Sequence, residues 1–256
     1  MGIKNIIGEL RVNGKPVLTE KYSEGLTYAS NNDGTCSVSH IGTCTDTDII
    51  IPSVSPAGDR VTSIHDNAFY SCSNLTSVVI PGSVVSIGIG AFSGCSNLIS
   101  VVIPDSILGF GEGAFSGCSD LKSIVIPDDV TGINMGTFSG CSSLTSVVIP
   151  DSVISIGDGA FSSCSGLTFV VIGDGVTYIG EGVFFGCSSL VDVYYPGSET
   201  GWNNISINES NEKLTNATIH YNYADDFMSI NDRLGDVSSA LDLLITQTNN
   251  ILGGIE

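Results

Sequence analysis

Cysteine, histidine and carboxylate side chains are where chemistry would begin, and in this chain most of them recur at one interval. Cysteines stand at 72, 95, 118, 141, 164 and 187, every 23 residues. Asp105, Asp128, Asp151 and Asp174 keep the same interval, and Glu112, Asp158 and Glu181 form a further series interrupted by Met135. A zinc site needs thiolates clustered as C-x₂₋₄-C, so thiols a full interval apart predict no metal and no cofactor. Neighbouring segments about 4.8 Å apart bring such thiols within disulfide range. Equivalent side chains of a stack run parallel, however, and free cysteine is a small, readily buried hydrophobe. The series is therefore expected to be structural. Cys36 and Cys44 lie outside it, flanking a turn-rich stretch, and suit either a bridge or two free thiols. The four aspartates Asp105, Asp128, Asp151 and Asp174 are a calcium candidate by residue type, but turn carboxylates commonly satisfy local backbone N–H groups, which is the expected role.

No catalytic constellation is visible. His40, His65 and His220 are scattered, and no unit sets a base beside a nucleophile. Gly111-Glu-Gly113 and Gly157-Asp-Gly159 lack the G-K-[ST] of a phosphate loop and count as turns. A non-enzymatic protein is predicted; a metal or substrate in the acidic series is the remaining enzymatic reading. The sequons at Asn74, Asn204, Asn208 and Asn216 matter only in an exported chain.

Composition sharpens these exclusions. Eight basic against 27 acidic residues give a net charge of −19, the wrong sign for a nucleic-acid backbone or an anionic membrane. Residues 66–196 contain one basic residue, Lys122. No run approaches the ~18 apolar residues of a membrane span. The first ten residues hold neither a long apolar stretch nor a small-residue cleavage site, so no secretory leader is predicted. Hydrophobic residues nonetheless make up 42% and charged ones 14%, which argues for a packed core rather than an acidic disordered chain.

The elements that position all of this follow from the interval. Phenylalanines recur at 69, 92, 115, 138, 161 and 184, leucines at 75, 98, 121, 144, 167 and 190, and prolines at 81, 104, 127 and 150. Val78 and Ile80 share one face of a short strand, with Ser77 and Val79 on the other. The following proline, having no N–H, ends the ladder. Val84, Ile87, Ala91, Phe92 and Cys95 then turn inward on the returning arm. One such coil cannot bury its own apolar face, so the units must stack. The predicted fold is a mainly β repeat solenoid with a 23-residue leucine-rich period, capped at both ends and followed by a C-terminal amphipathic, coiled-coil helix. Ile49-Ile50-Ile51-Pro52 marks an earlier coil enlarged by an insertion near Ser55–Asp59, and a hairpin between Thr35–Ser39 and Gly42–Cys44 is expected to cover it.

The unit Ala-Phe-x-x-Cys-Ser-x-Leu-x-x-Val-x-Ile-Pro-x-Ser-Val-x-x-Ile-Gly resembles the BspA-like class of leucine-rich repeat, known from bacterial and protist surface proteins. The leading Asn32–Val38 hairpin and the trailing Val193–Pro196 to Thr218–Asn222 segment are similar to that family's ends. The resemblance spans residues 28–223 and implies binding or adhesion without naming a ligand.

Two end segments fall outside it, giving three parts: an arm (1–27), the solenoid (28–223) and a tail (224–256). In the arm, Ile7–Leu18 alternates apolar and polar residues around Asn13-Gly14, a hairpin signal, and is read as an attachment arm. In the tail, Phe227, Ile230, Leu234, Val237, Leu241, Leu244, Thr248, Ile251 and Ile255 alternate spacings of three and four, a heptad seam. The mix of unbranched residues at a and β-branched ones at d favours three or four strands, a trimer first. The alternative is a helix folded back on its own solenoid, its apolar face broadened by Leu243, Ile245 and Leu252. Both ends resemble those of bacteriophage virion proteins. That resemblance implies a virion appendage (fibre, collar or tail protein) with protein partners in an assembly and a host-surface protein or glycan as target; a bacterial cell-surface adhesin is the alternative. Strand positions facing away from the core read Ser/Val in four units and then Phe169/Val171 and Asp192/Tyr194, with Trp202 following. These five residues form a candidate contact surface, or else cover the last coil against its cap.

Overall fold

Each unit has two places where apolar side chains alternate, Leu-x-x-Val-x-Ile and Ser-Val-x-Ser-Ile, and each becomes one short strand of a turning chain. The computed structural model describes residues 11–12, 15–16 and 22–222. The heptad seam Phe227–Ile255 and most of the arm lie outside the described residues. Of the arm, β1 (Arg11–Val12) and β2 (Lys15–Pro16) pair antiparallel with Val12 opposite Lys15, as Asn13-Gly14 predicts.

At the N-terminal end, β3 (Thr27–Ser30) pairs antiparallel with β4 (Thr35–His40), and β4 pairs parallel with β6 (Arg60–Ile64), while β5 (Asp48–Ile50) starts the second ladder. The cap hairpin therefore turns at Asn31–Gly34 rather than after Ser39. Asn32 and Gly34 adopt φ of 61° and 82° there, and the Asp33 carboxylate accepts bonds from the Thr35 N–H (2.9 Å) and hydroxyl (2.6 Å), a self-contained Asx turn. Residues 41–44 instead fold against Gly25, whose carbonyl accepts from Thr43 N–H at 3.0 Å. Cys36 and Cys44 are both buried and both free.

The coils then stack in register. β7 (Ser77–Val79), β8 (Ser86–Ile87), β9 (Ser100–Val102), β10 (Gly132–Ile133), β11 (Ser146–Ile149), β12 (Ser155–Ile156), β13 (Phe169–Ile172), β14 (Tyr178–Ile179) and β15 (Asp192–Tyr195) follow along the units, with β7 and β8, β11 and β12, and β13 and β14 each two strands of one unit. Strands of equivalent position pair in parallel, Ser77 with Ser100 and Ser146 with Phe169, 23 residues apart. The last coil is irregular: α1 (Glu199–Trp202), β16 (Ser206–Ile207), α2 (Glu212–Thr215) and β17 (Thr218–Tyr221). β16 extends the β10–β12–β14 ladder and β17 the β11–β13–β15 ladder. Asn211 ties this cap down, donating to the Gly180 carbonyl (2.8 Å) and accepting from Phe184 N–H (3.1 Å).

Identical side chains lie over one another in the core. Phe69, Phe92, Phe115, Phe138, Phe161 and Phe184 form one stack with centroid spacings of 5.0 to 5.7 Å, within the favourable range for ring pairs. Beside it, each cysteine thiol donates to the phenylalanine carbonyl of the coil before: Cys95 to Phe69, Cys118 to Phe92, Cys141 to Phe115, Cys164 to Phe138 and Cys187 to Phe161, at 3.0 to 3.3 Å.

Both ladders stop at the same place. The run β5–β7–β9 does not continue into β11, because Lys122–Ile126 forms no strand, and the β8 run reaches only a single bridge, Ile87 to Phe110, before β10. Asn134 stands where other units have Gly88, Gly111, Gly157 and Gly180. A Cβ at Gly111 or Gly157 would lie 2.4 or 2.7 Å from the preceding coil's backbone, so an asparagine holds its neighbour off. Glycine N–H groups at this position donate to the coil before, as Gly111 does to Ile87 (2.8 Å). Asn134 uses its side-chain amide instead, donating to the Phe110 carbonyl at 2.7 Å.

Candidate functional site

Two carboxylates of the repeating series, and Asp66 ahead of them, serve the backbone. Asp66, Asp151 and Asp158 each accept an N–H from the next coil, from Ile89 (2.8 Å), Asp174 (3.1 Å) and Glu181 (2.8 Å). Among the described residues no three His, Cys, Asp or Glu side chains gather where they could hold a metal ion. The Asp105, Asp128, Asp151 and Asp174 column is thus a set of exposed turn residues.

The thiols are similarly committed. Burial pushes the pKa of Cys95 and Cys187 up to about 12 and raises those of Cys118, Cys141 and Cys164 further. Reaction requires the thiolate, so these five groups are poor nucleophiles. Cys72, at the open end of the column, is only partly buried.

The histidines stay apart. His40 accepts the Gly42 N–H (3.0 Å) within its own turn. His220, on β17, lies 2.8 Å from the Asp192 carboxylate on β15 and stacks on Tyr194, centroids 4.6 Å apart. Tyr194 meets Phe169 edge-on at 5.9 Å. The structure therefore brings Phe169, Val171, Asp192 and Tyr194 together, as the sequence predicts, and adds His220. It does not leave them open: Phe169, Val171 and Tyr194 form a separate small buried cluster on the strand face turned away from the core. Trp202 is also buried, edge-on to Tyr195 at 5.5 Å, as part of the C-terminal cap.

A different surface is open. Val85, Leu108 and Ile154 stand at one position of successive units, with Thr131 and Thr177 in the same column. Leu108 and Ile154 are 60% and 54% exposed. Backbone bonds fix the column, Leu108 N–H to Val85 O at 3.0 Å and Ile154 N–H to Thr131 O at 2.9 Å. Tyr178 follows in the next strand position, and exposed Ile89, Glu112, Met135, Asp158 and Glu181 stand four residues along each coil. Single exposed apolar residues are ordinary; a laddered column with an acidic border is a patch. The sequence carries its signal, apolar residues at 85, 108 and, two intervals on, 154, in a position adjacent to the better-marked core columns.

Comparison with known proteins agrees with this geometry. Six copies of the BspA type leucine rich repeat region match residues 62–191. Among solved structures, a leucine rich repeat protein of T. pallidum is 32% identical over 68% of this chain and 81% of its own, with a TM-score of 0.63. A leucine rich cell surface protein of Faecalibacterium prausnitzii is 30% identical over 79% of this chain, with a TM-score of 0.66. The chain covers 54% of that protein, about half its length. A search of curated sequences returned no significant match. With stacked phenylalanines, thiols turned onto the neighbouring coil and a repeat model matching half the sequence, this chain belongs to the BspA-type leucine-rich repeat family.

Proposed function

We propose that this chain is a non-enzymatic binding module of a bacterial cell-surface adhesin. Its solenoid presents the Val85–Leu108–Ile154 column to a protein partner. The observation that carries the reading is that laddered column, apolar at Val85, Leu108 and Ile154 with Thr131 between them, and bordered by Ile89 and Met135 together with the acidic Glu112, Asp158 and Glu181. Such a surface fits a protein with an apolar patch and basic surroundings, since complementary charge steers and orients encounter. The cell-surface protein of F. prausnitzii supports the location. The virion-appendage reading rests on the arm, of which little is described, and on the tail, which lies outside the described residues, and draws no support from the repeat family.

The test is a binding panel of immobilised extracellular-matrix proteins and mucosal glycoproteins, probed with the full chain and with Leu108→Asp/Ile154→Asp. Both substitutions are at exposed positions, so the fold should hold. Saturable binding to a panel member that falls at least tenfold in the variant is expected. Equal binding by both chains would remove this column from the function, and no binding to any member would count against the adhesin reading itself.

A further inference from the structure

We propose, resting on the reading of the open column as the binding surface, that this side docks a basic amphipathic helix of the partner protein. The helix lies along the solenoid axis, its apolar half toward Val85 and its basic half toward Glu209. Two rims bound the seat. Val85, Leu108, Thr131, Ile154 and Thr177 form one. The other is Ile89, Glu112, Met135, Asp158, Glu181 and, 28 rather than 23 residues further on, Glu209. The carbonyl of each of these six accepts an N–H from the coil before, from Asn67, Gly90, Gly113, Gly136, Gly159 and Gly182 in turn, at 2.8 to 2.9 Å. Glu209 therefore continues a column that the sequence interval ends at Glu181. Between the rims stand the small residues Ser86, Gly109, Gly132 and Ser155, until the exposed Tyr178 closes the run.

The rims change character along the axis. At the N-terminal end Val85, Ile89 and Leu108 are apolar and 42%, 51% and 60% exposed. At the other end Asp158, Glu181 and Glu209 set exposed carboxylates on consecutive coils. Among the described residues none of the three is held by a lysine or arginine. Beside the last two opens a cavity of about 400 Å³, lined by Glu181, Ile207, Asn208 and Glu209. Its wall is fixed: Asn208 donates to the Tyr178 hydroxyl (2.9 Å), and the buried Asn211 amide donates to the carbonyls of Asn208 (3.0 Å) and Glu209 (3.3 Å). A lysine or arginine head placed there meets two carboxylates, with the Tyr178 ring offering a π face alongside.

Charge and spacing select the occupant. A second copy of this chain brings the same carboxylates to the face, so the partner is cationic. An extended strand along the axis repeats its same-face side chains about every 6.8 Å, out of step with coils about 4.8 Å apart. It would also find the backbone groups of both rims committed between coils. A helix satisfies its own backbone and rises about 10.5 Å per heptad, close to the about 9.6 Å of two coils. Five coil spacings from Val85 to the Glu209 coil make about 24 Å, the length of about 16 helical residues. Such docking uses side chains at i, i+3, i+4 and i+7.

Two synthetic helices of about 18 residues and equal composition test this by fluorescence anisotropy with the full chain. One confines leucines to one half and lysines and arginines to the other; the second spreads both evenly. The segregated peptide should bind at least tenfold more tightly. Glu181→Gln/Glu209→Gln should weaken it at least fivefold and flatten its salt dependence between about 0.01 and about 1 M, where screening shortens from about 30 to about 3 Å. Leu108→Gln should weaken it at least tenfold, with Ile89→Gln as the substitute if that chain unfolds early. Val148→Gln, exposed on the other ladder, should change nothing. Equal binding of the two peptides, or binding indifferent to the glutamine pair, overturns the helix dock. A panel protein that still depends on Leu108 and Ile154 would then keep the column as a binding surface and sink only the helix; indifference of peptide and panel protein alike to Leu108 sinks both.

Discussion

At the scale of the residue, each interior cysteine combines two properties that no other small side chain offers together. It fills the core as a hydrophobe, and its S–H still reaches the carbonyl of the coil before. Serine would keep the bond but bring a more polar group into the column; alanine would fill less and leave the carbonyl only the backbone N–H it accepts within its own coil, as Phe115 does from Cys118. The same burial makes stability sensitive to alkali, and the sign is fixed. Folded thiols hold their protons up to about pH 12 at Cys95 and Cys187 against an ordinary value of 9.0. Above pH 9 the unfolded chain therefore binds fewer protons than the folded one, and stability falls as pH rises toward 12, by about 1.4 kcal/mol per unit for each buried thiol. A urea titration series from pH 7 to 11 should show a plateau followed by a steep loss. Cys141→Ala should lower the plateau by about 1–2 kcal/mol and flatten the alkaline slope by one thiol's share. An unchanged slope would mean that the thiol does not remain protonated in the folded state.

Among elements, the coil from Leu121 to Gly140 departs from its neighbours. Asn134 replaces the glycine that permits close approach, and its amide substitutes for a ladder N–H by reaching Phe110. Substituting Asn134→Ala should leave that carbonyl unpartnered and cost about 1–3 kcal/mol. Native-state hydrogen exchange should already show amides of 122–126 exchanging faster than those of 146–149 in the parent chain, and the variant should widen the gap. Uniform exchange across both stretches would mean that the two halves are as tightly joined there as elsewhere. Little of this was legible beforehand. The interval placed the phenylalanine, leucine and cysteine columns correctly, because core positions must repeat wherever coils stack. A break depends on one side chain taking over a backbone bond, and spacing alone does not report that. The residue reading set the cap hairpin between Ser39 and Gly42, whereas the family resemblance marked Asn32–Val38; the Asp33–Thr35 bonds hold the turn at Asn31–Gly34. The aromatic cluster was found, but the sequence left open whether it is a contact surface or covers the last coil, since alternation along a strand tells only which face a residue is on. The Leu108 column, apolar and outward, hid beside stronger core signals.

For the whole molecule, interactions run almost entirely between nearest coils, so length is adjustable in steps of one unit. Deleting residues 142–164, one full interval, should give a chain that still folds with a cooperative transition and a smaller denaturant slope, because less surface is exposed on unfolding. Deleting 142–152 shifts every following core side chain out of phase and should leave no cooperative transition by circular dichroism. If both deletions behave alike, stacking in register is not what holds the molecule together. The interrupted ladders at Lys122–Ile126 carry a last implication, for a protein pulled from one end while its ligand holds the other. Tension would part the chain at that joint before either half unravels, and rupture under load depends on the rate of opening rather than on equilibrium stability. The joint would thus serve as a mechanical fuse, yielding first and absorbing a tug before the intact halves give way.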